Sequence, residues 1–276
     1  MTMRISNKGP KEGYCVICGT HGTLTRDHVP PKKCNNLNNT ELKVLQSRFA
    51  KTARGTISQG GTQFKTLCGK CNNERLGIQY DPSLVDLSNA ITSLVLGARR
   101  KRIQLPQKIY PIIKPQRIAR AVVGHMLAAV AVEETKSGLI KSPMSDALRK
   151  YFLDQTLPLP EEMEIYYWPY PYKEQVLIKG FGKFDIRTNH GIIGDIFKFL
   201  PLGFLLTWEK PDSVKVNIPV LLRNKEMNID EQEQIEINLY KYPPVDFPEA
   251  PKDWELSLLN DQHAFIGSPQ HKTEQA

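Results

Sequence analysis

The alternation of apolar and polar positions divides this chain of 276 residues into unlike stretches. Residues 1–13 are polar throughout, a composition that predicts disorder. From Tyr14 to about Gly77 apolar positions are sparse, and a polar insertion rich in Asn, Lys, Arg, Gly and Gln fills about 34–63. Helical periodicity then appears in "PSLVDLSNAITSLVLGARRKR", where Leu84, Leu87, Ile91, Leu94 and Val95 share a face and Pro82 suits a first turn. The run Arg99 to Arg102 ends that helix, favourably for its dipole.

"LPQKIYPIIKP", residues 105–115, reads as a linker, and residues 116–135 are apolar nearly all round, which predicts a buried core helix. A short helix is expected near 144–154. Beyond it "MEIYYW", "QVLIKGFGKFDIR", "FLLTWEK", "VKVNIPVLL" and "QIEINLYKY" have the residue types and alternation of strands, ahead of a loose tail. The pattern predicts an α+β chain with a first domain over 14–104, a linker over 105–115, a second α+β domain with a mostly antiparallel sheet over 116–255, and a tail over 256–276.

Composition narrows the class. With 40% apolar and 24% charged residues, the chain is of ordinary globular type. Its longest apolar run, Ile118 to Val132, contains Arg120 and His125 and falls short of the ~20 residues needed to span a bilayer. "IFKFLPLGFLLTW" is interrupted by Lys198 and Pro201. No membrane partner is expected, and the polar N-terminus predicts a cytoplasmic location. Residues 1–115 hold 19 Lys+Arg against 6 Asp+Glu, a balance of +13, whereas 116–276 hold 18 against 23, a balance of −5. The basic half is expected to meet a polyanion, with Lys32, Lys33, Arg48, Lys51, Arg54, Lys70 and Arg75 as candidate phosphate contacts. The Arg99–Arg102 run suits helix capping and DNA contact equally. His125, within an apolar helix, reads as a satisfied core histidine, and "GIIG" at 191–194 as turn and packing.

The five cysteines change the picture further. Cys15/Cys18 and Cys68/Cys71 form two Cys-x-x-Cys knuckles, the pattern of a four-cysteine zinc site in a reducing compartment. Four thiolates leave zinc no open position, so such an ion is a scaffold. Cys34 stands apart as a free thiol. Asp27-His28 follows the first knuckle and Asn72-Asn73 the second, so closing the knuckles draws these pairs together. Asp and Asn oxygens suit a hard ion such as Mg²⁺ or Mn²⁺, and His28 suits a general base.

At these residues the chain resembles the HNH endonucleases, the ββα-metal nucleases, in their zinc-bearing four-cysteine branch. Cys15, Cys18, Asp27-His28 and Leu67-Cys68-Gly69-Lys70-Cys71-Asn72 carry the resemblance, which is similar to phage endonucleases of the endonuclease VII type and covers roughly residues 14–80. It implies a ββα module, a hydrolytic divalent ion on Asp27 and Asn72 with Asn73 as a second candidate, and His28 as the base that activates water. It implies nucleic acid as the substrate, DNA in preference to RNA. The family's middle Asn, which braces the loop bearing the catalytic His, is missing; Gln63, or Thr62, stands nearest, and the Gln63 amide carries the same hydrogen-bonding groups. Two other readings stay open: a zinc-knuckle module that binds nucleic acid with little or no catalysis, and a nuclease controlled through its C-terminal domain by a sensed ligand, a protein partner or a second copy of the chain. The last layout suits bacterial defence.

Overall fold

The computed structural model describes residues 9–36, 39–45, 55–185, 190–249, 255–258 and 263–269. The chain opens with β1 (Glu12–Tyr14) and β2 (His21–His28); β3 (Asn39–Val44) and β4 (Thr56–Gln59) lie within the polar insertion, and β5 (Gln63–Cys68) follows. β1, β2 and β5 form a three-stranded antiparallel sheet in that order. A helical stretch wound in the wide π pattern, Lys70–Tyr80, continues as α1 (Asp81–Arg99). π-type winding is rare and often marks a functional site.

The 105–115 segment carries two short strands, β6 (Lys108–Ile109) and β7 (Ile112–Ile113), before α2 (Pro115–Ala128). A helical turn at Val132–Thr135 and α3 (Pro143–Leu153) complete the helices, α3 being capped by Ser142 Oγ accepting from the Ser145 N–H. Then come β8 (Met163–Pro169), β9 (Gln175–Asp185), β10 (His190–Phe199), β11 (Leu202–Trp208), β12 (Val220–Leu222), β13 (Glu233–Gln234), β14 (Ile237–Asn238), β15 (Glu255–Leu258) and β16 (Ala264–Pro269). Among the described residues the large sheet has nine strands, running β12-β8-β11-β10-β9-β16-β3-β4 with β15 on β9, every pairing antiparallel.

The mixed α+β class and mostly antiparallel sheet agree with the hydrophobic pattern; the boundaries drawn from it do not coincide with the packing. β3 and β4 join the large sheet through β16, so the polar insertion pairs with the segment expected to be a loose tail. β6 and β7, inside the expected linker, pair with β14 and β13. Residues 12 and 13, expected to be disordered, lie in β1. "GIIG" lies in β10 and not in a turn. One apolar core runs from Cys15 and Leu42 through α2 to Phe265. The reason is α2. It is apolar nearly all round and is covered on all sides, against the 70–80 helix, α1, α3 and both sheets. Gly124 is where it comes closest: a Cβ there would lie 2.5 Å from Phe152 and 2.6 Å from Leu76.

Candidate metal centre and the adjoining polar cluster

Cys15 follows β1 and Cys18 ends the turn after it, closed by the Gly19 N–H donating to the Cys15 carbonyl (2.8 Å); Gly19 has φ +72, a conformation glycine adopts without strain. Cys68 ends β5 and Cys71 sits in the first turn of the following helix. The antiparallel pairing of β2 with β5 brings the two knuckles face to face. The four Sγ atoms lie within 4.8 Å of one another, and those of Cys18 and Cys68 are 3.7 Å apart. A tetrahedral ion with ~2.3 Å bonds to sulfur holds its sulfurs roughly 3.8 Å apart, so the cluster fits a zinc-like metal. A hydrogen bond with Cys71 holds the Cys15 thiol down to about 5. Cys71 is pushed up by that same bond and by burial, and Cys68 is pushed up by burial. The five cysteines are free of disulfides, and Cys34, well away from this set, is buried with its thiol raised by burial.

Beside the thiols the β2–β5 ladder slips between Thr25 and Asp27. Strict alternation would place Asp27 on the face opposite Leu24. The bulge turns both inward, so Leu24 and Asp27 are buried while His28 is only half-buried. Asn72 clasps the same bulge: its amide donates to Thr25 Oγ1 (2.9 Å) and to the Arg26 carbonyl (3.0 Å). That commits the Asn72 nitrogen to β2, while its oxygen makes no hydrogen bond among the described residues. Asn73 points to solvent.

Asp27 is not alone. His125, fully buried on α2, lies 3.0 Å through Nδ1 from Asp27 Oδ2 and 3.0 Å through Nε2 from Asp81 Oδ1. Burial works against charge on this imidazole, but the two carboxylates outweigh it and lift its pKa to about 10. Burial is also the larger influence on Asp27, whose carboxyl stays above its ordinary value despite His125. The core histidine expected from sequence is therefore satisfied, by two acids that sequence reasoning did not connect to it. His28 behaves oppositely. Burial lowers its pKa, Asp27 opposing the shift and Lys32 and His125 adding to it.

The loop after His28 is fastened by Asn36, a residue the sequence reading passed over. Its amide donates to the Pro30 carbonyl (2.6 Å), and its Oδ1 accepts from the Thr62 N–H and from Gln175, each at 3.3 Å. Gln63 stands directly opposite His28 in the ladder, yet its amide donates to Gln59 and Gly60 of its own turn. Of the candidate phosphate contacts, Lys32, Lys33 and Lys70 are exposed, and Arg75 Nη2 reaches the Leu153 carbonyl at 3.5 Å. Arg48, Lys51 and Arg54 lie outside the described residues.

Compared with protein-family models, with curated proteins and with solved structures, the chain matches none. No helix among the described residues is long and apolar enough to cross a membrane.

Proposed function

We propose that the protein is a metal-dependent phosphodiesterase of the HNH type acting on nucleic acid, with DNA favoured over RNA. The observation that carries this reading is the β2 bulge. It buries Asp27, leaves His28 half-exposed with its pKa lowered, and is clasped by Asn72 beside the four thiols. The His28 ring makes no hydrogen bond among the described residues, so its nitrogen is available to take a proton from the water that attacks phosphorus. Asp27 and Asn72 each retain an oxygen after their internal bonds, a hard donor pair that suits Mg²⁺ or Mn²⁺ completed by water and phosphate. When bound there, such an ion would polarise the phosphate and stabilise the departing oxygen. Exposed Lys32, Lys33 and Lys70 supply cations for the phosphate backbone, and the zinc-like cluster fixes the ends of β1, β5 and the following helix.

The burial of Asp27 against His125 favours a second reading, a zinc-knuckle module that holds nucleic acid without cutting it. Plasmid nicking with Mg²⁺ or Mn²⁺ separates the two. Wild type should nick, with a rate that rises with pH through a value below the ordinary 6.5 of histidine, because the base acts unprotonated. His28→Ala should lose about 10²–10⁴-fold while retaining binding. Binding without nicking by wild type on plasmid, linear, branched and RNA substrates would leave the binding module as the function.

A further inference from the structure

A cavity of about 420 Å³ opens between α3, β9, β10, β11 and the Val132–Thr135 turn, away from the Asp27–His28 pair. Its volume is that of a site for a small molecule. Met144 and Leu148 of α3, with Ile193 and Trp208 of the sheet, make one side apolar. Two charged groups face them. Asp195 lies where the β9–β10 ladder slips between Gly194 and Ile196, and it is 1% exposed. Its Oδ1 accepts from the Gly180 N–H at 2.7 Å, but its Oδ2 is buried with no hydrogen-bond partner. Buried carboxylate oxygens are almost always paired, so an orphan on a residue that lines a cavity marks a place for a donor. Lys179, next to Gly180 on β9, also lines the cavity, and its ammonium makes no hydrogen bond or ion pair among the described residues.

An orphan acid and an orphan base on adjacent strands, beneath an apolar wall, specify a ligand with both charges close together and a hydrocarbon body. We propose that this cavity binds a free apolar α-amino acid, its ammonium on Asp195, its carboxylate on Lys179 and its side chain against Met144, Leu148, Ile193 and Trp208. A neutral heterocycle has donors and acceptors but would bring no charge to either group. Burial pushes the Asp195 carboxyl up to about 6 and pulls the Lys179 ammonium down, and the attraction between the two offsets this only in part. The other ionisable groups of the wall are already engaged. Glu134 pairs with His263, and Arg149 donates to the carbonyls of Val16 and Ile140 and to Asp146. Through Val16, Arg149 also joins this wall to the first cysteine knuckle. The site stands whether or not the protein cuts nucleic acid.

Isothermal titration of the full chain with L-leucine, L-phenylalanine and L-tryptophan tests it, with L-leucinamide and 4-methylpentanoate as probes lacking one charge each. At least one amino acid should bind, and each one-charge analogue of leucine should bind roughly tenfold more weakly or worse. Asp195→Asn keeps an oxygen for the Gly180 N–H and should lose binding by a similar factor, as should Lys179→Met. Ile193→Trp, which fills the apolar wall from a partly exposed position, provides the same test should Asp195→Asn fail to fold. No binding by any of the three amino acids up to about 10 mM, equal binding of the one-charge analogues, or binding of adenine in their place would overturn the proposal.

Discussion

The four-thiol cluster and the Asp27–His125–Asp81 chain are both buried polar assemblies built from distant parts of the sequence, and they solve the same problem in opposite ways. The thiols are alike. Brought within 4.8 Å of one another, they cannot all ionise without a cation. The second assembly holds a basic partner of its own, an imidazole 3.0 Å from each of two carboxyl groups and with its pKa lifted to about 10. The first is a group that could hold a metal ion; the second already sets a basic side chain between its two acids. Asp27 lies on β2, which pairs with β1 and β5 beside the thiols, so the two assemblies brace one small sheet.

The sharpest way to break this comparison is to remove what the thiols await. Purified without chelator, the chain should carry one zinc, and chelation or Cys71→Ser should melt the region of β1, β2 and β5. Structural zinc sites contribute about 10–16 kcal/mol in small peptides, more than a domain's net stability. Elemental analysis with near-ultraviolet circular dichroism checks this. A zinc-free protein with an unchanged spectrum would show that the thiols are merely a packed core.

The His125 assembly should respond less, and with the opposite dependence on conditions. His125→Gln leaves a buried acid, Asp27, and a partly buried one, Asp81, without their cation and should lower stability by about 3–5 kcal/mol, with zinc content unchanged. Because the folded-state pKa of His125, about 10, lies above its ordinary 6.5, its contribution is full below 6.5 and disappears as pH rises through about 10. Urea denaturation across that interval should show wild type losing stability and His125→Gln losing less. Parallel curves would mean that the imidazole carries no charge in the fold.

The same contrast explains what could be read from the sequence. Cys-x-x-Cys is legible because both ligands of a knuckle lie within one turn, and the adjacency of Asp27 to His28 and of Asn72 to Cys71 is equally local. α2 was legible because a helix apolar all round has few places to go. Nothing local joins residue 27 to 81 and 125, because that contact depends on a β-bulge and on a helix from another part of the chain. β3, β4 and β16 were missed for a related reason. Their sequences, "NTELKV", "TISQ" and "AFIGSP", are weak strand formers alone and are held by pairing across the length of the chain. Lys179 and Asp195 were invisible likewise, since each is unremarkable until the β9–β10 ladder slips beside it.

The smallest effect sharpens the question of what holds the loop bearing His28. Resemblance pointed to Gln63, but its amide makes bonds of 3.2 and 3.4 Å to its own turn at an exposed site. Asn36 instead joins the Pro30 carbonyl, the Thr62 N–H and Gln175, tying the segment after His28 to the residue that precedes β5 and to β9. Net values of about 0.5–1.5 kcal/mol per bond predict a loss of about 1–3 kcal/mol for Asn36→Ala. Gln63→Ala, at the surface, should stay within about 0.5 kcal/mol. Urea midpoints for the two variants decide the matter. A larger loss for Gln63→Ala would return the brace to that residue, whereas the expected order places it in the loop itself, eight residues after His28, where no motif marks it.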